Sequence, residues 1–223
     1  GWEAVADEAI AVRSPRAGFV QEIDVDGLVD SLPSGAVARL DVWAGHFVTK
    51  GRRVLTVWSC ESLQIGDVLS FVVVGEQRTI GQDPGFGIRQ LVDIALRALS
   101  PGVNDPATAA DVVRHLTGCL RAAHLTGDAN RVFYNERGSR LFAPHAPTVD
   151  SLVADAITPI RRAAGDHPLV LAAIVDALSG LDDELAEEGH QRSALQREIA
   201  MAGERQRAVE AADEEWMAER DDK

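Results

Sequence analysis

The sequence predicts an α+β protein. A small β-barrel-like module covers residues 1–75, and a mainly helical region with one β-hairpin covers residues 76–223. Three observations predict it. Apolar residues alternate around glycines between residues 13 and 58, the period of a half-buried strand. From residue 86 onward the apolar spacing turns helical, with cap and stop signals between segments. Inside that helical part, RVFYNERGSRLF (residues 131–142) reads as two short strands bending at Gly138.

In chain order, residues 1–12 suit either a short helix or a strand leading in. SPRAGFVQEIDVDGLVD follows a turn with alternation through Phe19, Gln21, Ile23 and Val25. ARLDVWAGHFVTKGRRVLTVW alternates through Leu40 and Val42, then Phe47, Val48, Val54, Leu55 and Val57, with turns at Gly45 and Gly51. Residues 60–75 are ambiguous, and the β-branched run from Val68 to Val74 favours a strand.

The helix that follows places Ile88, Leu91, Val92, Ala95, Leu96 and Leu99 on one face. Ile94 and Ala98 widen that face, so the helix is expected to be buried on most sides and to act as the scaffold. Ser100, Pro101 and Gly102 end it. Asp105 caps the next helix with Pro106 at its first position, and Ala109, Val112, Leu116, Leu120 and Ala123 form its buried stripe. After the hairpin and the stiff connector APHAP come three helices. One starts at Thr148 or Asp150 and is bent or stopped near Pro159, and one is capped by Asp166 or His167. The last is long and charged, from about residue 191 to 220. Its Leu195, Ile199, Ala202, Val209 and Trp216 form a narrow seam suited to another helix.

A net charge of −13 and a pI near 4.8 argue against nucleic acid or an anionic lipid surface as partner of the whole chain. Lys50 and Lys223 are the only lysines, so the positive charge is almost all arginine. Cys60 and Cys119 are too few for a disulfide framework and read as reduced thiols. No stretch approaches the roughly 20 apolar residues of a membrane span. Lacking a signal-peptide pattern and an initiator methionine, the sequence reads as part of a longer chain.

The candidate site residues are Arg78, Asp83, Arg89, Asp93, Arg97, Asn104 and Asp105. Arg89, Asp93 and Arg97 step by four along one helix face. They form either an ion-pair ladder or an anion clamp, which Arg78 and Asp83 could join. Capping accounts for Asp105, and loop backbone groups for Asn104. The alternative is that Asp83, Asn104 and Asp105 converge on a hard cation. Asp111, His115 and Cys119 also step by four, but nothing nearby completes a metal shell, so they read as a polar edge. Gly85-Phe86-Gly87 opens a helix but fails the dinucleotide fingerprint at Gln90. No serine has a nucleophile-elbow setting. No catalytic residue, metal or cofactor is expected.

Two resemblances add to this reading. SP..GFV..I paired with V..G.FV..G..L..V resembles the half-motif of biotinyl/lipoyl barrel-sandwich domains. Those domains carry a prosthetic group on a hairpin-tip lysine. Lys50 sits instead in Thr-Lys-Gly, which implies an unmodified structural module. The run RTIGQDPGFGIRQLVDIALRALSPGVNDPATA resembles the signature of the bacterial membrane-protein family called domain of unknown function 2254. The matching positions are Arg78, Thr79, Gln82, Asp83, Phe86, Gly87, residues 89–95, 97–102 and 104–106, Thr108 and Ala109. The resemblance implies several membrane helices ahead of a soluble region on the cytoplasmic side of the inner membrane. The resemblance leaves the mechanism open; the expectation is that this region is non-enzymatic, serves assembly or regulation of the membrane part, and has those helices and further copies of itself as partners. The rival expectation is a metal- or anion-binding domain built on residues 78–105.

Overall fold

The computed structural model describes residues 9–58, 63–126, 131–189 and 192–221. The expectations for residues 1–8 and for Cys60 lie outside the described residues. The chain is α+β and divides into two units: residues 1–86 with 129–146, and residues 87–128 with 147–223.

Among the described residues unit 1 holds eight strands: β1 (Ile10–Arg13), β2 (Gly18–Ile23), β3 (Val37–Leu40), β4 (Phe47–Val48), β5 (Arg53–Trp58), β6 (Val72–Gly75), β7 (Val132–Tyr134) and β8 (Arg140–Phe142). They form two open sheets, one in the order β1-β5-β3-β8-β7 and the other β4-β2-β6. Neither closes on itself, so the barrel-sandwich expectation is corrected to two small sheets over a shared core. Val12, Ala38, Leu40, Leu55, Val57 and Leu141 from the larger sheet are buried together with Val20, Ile23 and Val74 from the smaller. The expected alternation holds along β3, but β5 buries Val54 to Val57 in succession and Phe47 is exposed, and the turns at Gly45 and Gly51 route the strands into two sheets.

Two short helices lie in unit 1, one within a stretch read as strand and one within the ambiguous stretch. α1 (Val25–Ser31) is capped by Asp24, whose carboxylate accepts from the Gly27 amide, and it buries Leu28 and Val29. α2 (Ile65–Ser70) occupies the first part of the ambiguous stretch. The strand expected over residues 68–74 starts only at Val72. The hairpin of β7 and β8 forms as expected, but β8 pairs parallel with β3, Ala38 facing Leu141. The hairpin thus joins the β-rich unit rather than the helical region, and the division falls near residue 86 rather than 75. Local turn chemistry shows a hairpin; its partner strand, about 100 residues earlier, is a non-local fact.

Unit 2 is helical. α3 (Pro84–Ala98) begins at the division, followed by α4 (Pro106–Thr126), α5 (Val149–Ala164), α6 (Pro168–Glu187) and α7 (Ser193–Asp221). The expected scaffold is corrected. α3 buries Ile88, Val92, Ala95, Ala98 and Leu99, while Ile94 is 48 % exposed and the opposite face is polar. α6 is the helix packed against α4, α5 and α7, through residues that include Val170, Ile174, Leu178 and Leu181. Thr148 caps α5 through a reciprocal bond with Ser151, and the helix runs through Pro159 unbroken. The seam of α7 is largely used within the chain. Leu195 and Ala202 are buried, Ile199 and Val209 pack against the same core, and Trp216 is exposed. Glu198 ties α7 to α5: its carboxylate accepts from the Thr158 hydroxyl at 2.6 Å and from Arg161 Nε at 2.7 Å.

Candidate functional site

The predicted site residues do not form one constellation. Arg78 and Asp83 make a largely buried pair, Nε to Oδ2 at 2.5 Å, with the guanidinium over the Phe86 ring. Asp83 Oδ1 accepts from the Phe86 amide and so caps α3. Gly45 lies against this pair and has φ +89°, which favours glycine. Neighbouring residues strap the same segment to β2. The Gln82 amide accepts from Ile23 N and donates to Ile23 O, and the Thr79 hydroxyl donates to the Gln21 carbonyl. Four of the signature residues thus have a structural role in unit 1.

The others are dispersed. Arg89 and Asp93 form an exposed pair at 3.3 Å, and Arg97 is exposed. Asp105 accepts from the Thr108 amide and hydroxyl; those bonds hold its carboxyl below the usual carboxylate range. Asn104 is exposed with φ +48°, a left-handed conformation that asparagine tolerates. The turn around it lets Asp105 N donate to the Ala98 carbonyl at the end of α3. Asp111 pairs with Arg114, and among the described residues no group of three His, Cys, Asp or Glu side chains could hold a metal ion.

A different part of unit 1 gathers charge. A cavity of about 870 Å³ lies on the outer face of the five-stranded sheet. Register explains its wall. Ala38 and Leu40 of β3 point to the core, so Val37, Arg39 and Asp41 point outward. Val37 faces Trp58 on β5, and Arg39 faces Phe142 on β8. The turn between β4 and β5 adds Lys50, Gly51 and Arg52, β5 opens on Arg53, and β1 ends on Arg13.

Arg13, Arg39, Lys50, Arg52 and Arg53 stand in this lining against one carboxylate, Asp41. Asp41 is largely buried and fixes two of them, with Arg39 at 2.8 Å and Arg53 at 3.1 Å; it also accepts from the Thr56 hydroxyl at 2.6 Å. Arg39 in turn lies over the Trp58 ring, 5.6 Å from its centroid. Arg13 donates to the Gly51 carbonyl at 2.9 Å, which holds the turn. Among the described residues the Lys50 and Arg52 side chains have no ion pair or hydrogen bond. The arrangement combines pre-oriented guanidinium groups with two uncommitted cations, the chemistry of anion binding.

His145 lines the same cavity and meets His46 edge-on, ring centroids 5.8 Å apart. Burial pushes the His46 imidazole below its usual value. His145, Arg78 and Arg52 push the same way, and Asp83 opposes them. His46 Nδ1 accepts from the Trp43 amide at 3.2 Å, as the neutral ring requires.

Sequence reasoning missed the cavity because its residues come from four strands, a turn and the segment after β8. The available signal was the alternation Val37, Arg39, Asp41 together with the basic turn Lys50 to Arg53. Lys50 was weighed only as an attachment point. It lies where the chain passes from one sheet to the other, not at a hairpin tip.

The model of a family described as predicted membrane protein (DUF2254) matches residues 2–180. The chain belongs to this DUF2254 family. An uncharacterised protein of Mycobacterium bovis is 33% identical over 225 residues, covering 96% of this chain and 41% of that protein. Uncharacterised proteins from two strains of Mycobacterium tuberculosis match with the same figures. The chain thus spans about two fifths of the length of these DUF2254 relatives. No solved structure matches. Among the described residues no helix is long and apolar enough to cross a membrane.

Proposed function

We propose that the chain is a non-catalytic, extramembrane region of a multi-pass membrane protein, on the cytoplasmic side of the inner membrane, and that it regulates the membrane part by holding a small anion in the cavity of unit 1. One observation carries the reading: Arg13, Arg39, Lys50, Arg52 and Arg53 share one concave surface in a chain whose net charge is −13. Like charges crowded against a single carboxylate repel one another, and a bound anion relieves that repulsion. The family description and the greater length of the relatives support a membrane-embedded remainder. Its partners are the membrane helices of its own full-length chain. The end of α7, where Trp216 and Met217 are exposed, is the surface offered to a second copy.

Thermal melting of the 223-residue chain with pyrophosphate as probe tests the anion site. A ligand that binds the folded state raises the melting temperature. The rise is expected in the wild type and in Arg89→Ala, and is expected to vanish in Lys50→Ala/Arg52→Ala. No rise in the wild type, or an equal rise in all three proteins, overturns the reading.

A further inference from the structure

The two ends of the cavity differ in chemistry, and the difference specifies the ligand. At one end stand Lys50, Arg52 and Arg53. At the other stands Trp58, paired with Val37 and carrying the Arg39 guanidinium over its ring, while Phe142 lies across β3 level with Arg39. Arg53 and Trp58 open and close the same strand. At about 3.3 Å per residue they are roughly 17 Å apart. A molecule that uses both ends is elongated, with phosphate-like charge at one end and a flat ring at the other.

We infer that this cavity binds a nucleoside diphosphate or triphosphate, its phosphates on Lys50, Arg52 and Arg53 and its base against Trp58 at the other end, with Phe142 lining the wall between. The inference rests on the reading of the cavity as an anion site and adds the ring. Lys50 and Arg52 are available to the phosphates because no described residue neutralises them. Asp41 keeps Arg39 and Arg53 in place, so their orientation needs no reorganisation on binding. A volume of about 870 Å³ is within the range of small-molecule sites. The phosphate of a lipid headgroup offers similar charge. An acidic chain is repelled by an anionic bilayer, however, and the aromatic end is unused by a headgroup.

Calorimetric titration of the chain with ADP, with pyrophosphate, and with phosphatidylglycerol vesicles separates these cases. ADP is expected to bind at least about tenfold more tightly than pyrophosphate, the advantage coming from base–aromatic stacking. Trp58→Ala should bring ADP down to the affinity of pyrophosphate and leave pyrophosphate unchanged; Trp58→Phe should keep most of the advantage. If Trp58→Ala does not fold, Phe142→Leu is expected to act in the same direction. Equal affinity for ADP and pyrophosphate, equal weakening of both by Trp58→Ala, or vesicle binding at least as tight as that of ADP overturns the nucleotide assignment. Absence of binding by either soluble ligand instead removes the anion site itself.

Discussion

Gly45 lies directly against the Asp83 carboxylate: a methyl group on Gly45 would come 2.1 Å from Asp83 Oδ2 and 2.9 Å from Arg78 Nη2. With φ +89° the position is also strained for any L side chain. Gly45→Ala should therefore destabilise the protein by about 1–3 kcal/mol, measured by urea unfolding. A change within experimental error would show that the Arg78–Asp83 pair does not occupy this place.

The two ion pairs singled out by the sequence should behave differently. Asp83 is buried, caps α3 and neutralises Arg78, so Asp83→Ala should lose about 1–3 kcal/mol. Asp93 is exposed beside an exposed arginine, so Asp93→Ala should change stability by no more than about 0.5 kcal/mol. Equal losses in the two variants would contradict the placement of these residues.

Glu198 gives a corresponding test in unit 2. Its carboxylate is buried and holds Thr158 and Arg161. Glu198→Ala leaves the Arg161 guanidinium, itself 14 % exposed, without its partner. The expected loss is about 3 kcal/mol, again by denaturant unfolding. A loss below about 1 kcal/mol would mean that α7 does not dock on α5 through this group.

His46 makes stability depend on pH. Its folded-state pKa lies below the ordinary value of 6.5, so the unfolded chain binds its proton more readily. The His46 contribution is present in full above about 6.5 and is lost as pH falls through the lower folded value. Melting temperature should thus drop less steeply in His46→Gln than in the wild type as pH falls from about 6.5 to that lower value. Parallel curves would show that His46 is not held neutral by burial beside His145, Arg78 and Arg52.

Much of the local structure was legible in the residues. Asp105 before Pro106 marked the start of α4, Thr148 was one of two candidates for the start of α5, and Gly138 marked the bend between β7 and β8. These signals are local, since a cap or turn acts within a few residues. Two kinds of fact were not legible. One is which strand receives β8, because pairing with β3 is decided by the packing of Leu141 and Ala38 in one core. The other is which charged residues meet. Four-residue spacing put Arg89 and Asp93 together, but it could not show that their face is exposed, nor that Arg39, Arg53 and Asp41 converge across strands. His124 shows the same limit on α4. It is buried with Nδ1 donating to the Leu120 carbonyl at 2.8 Å, while the expected stripe ran through Ala123.

The claim that unit 1 offers an anion site is tested most directly by calorimetric titration of pyrophosphate into the wild type and into Lys50→Ala/Arg52→Ala at low and moderate salt. The account predicts saturable one-site binding by the wild type that weakens as salt rises, and no measurable binding by the double variant. Binding of equal strength in both proteins, or none in either, would contradict it.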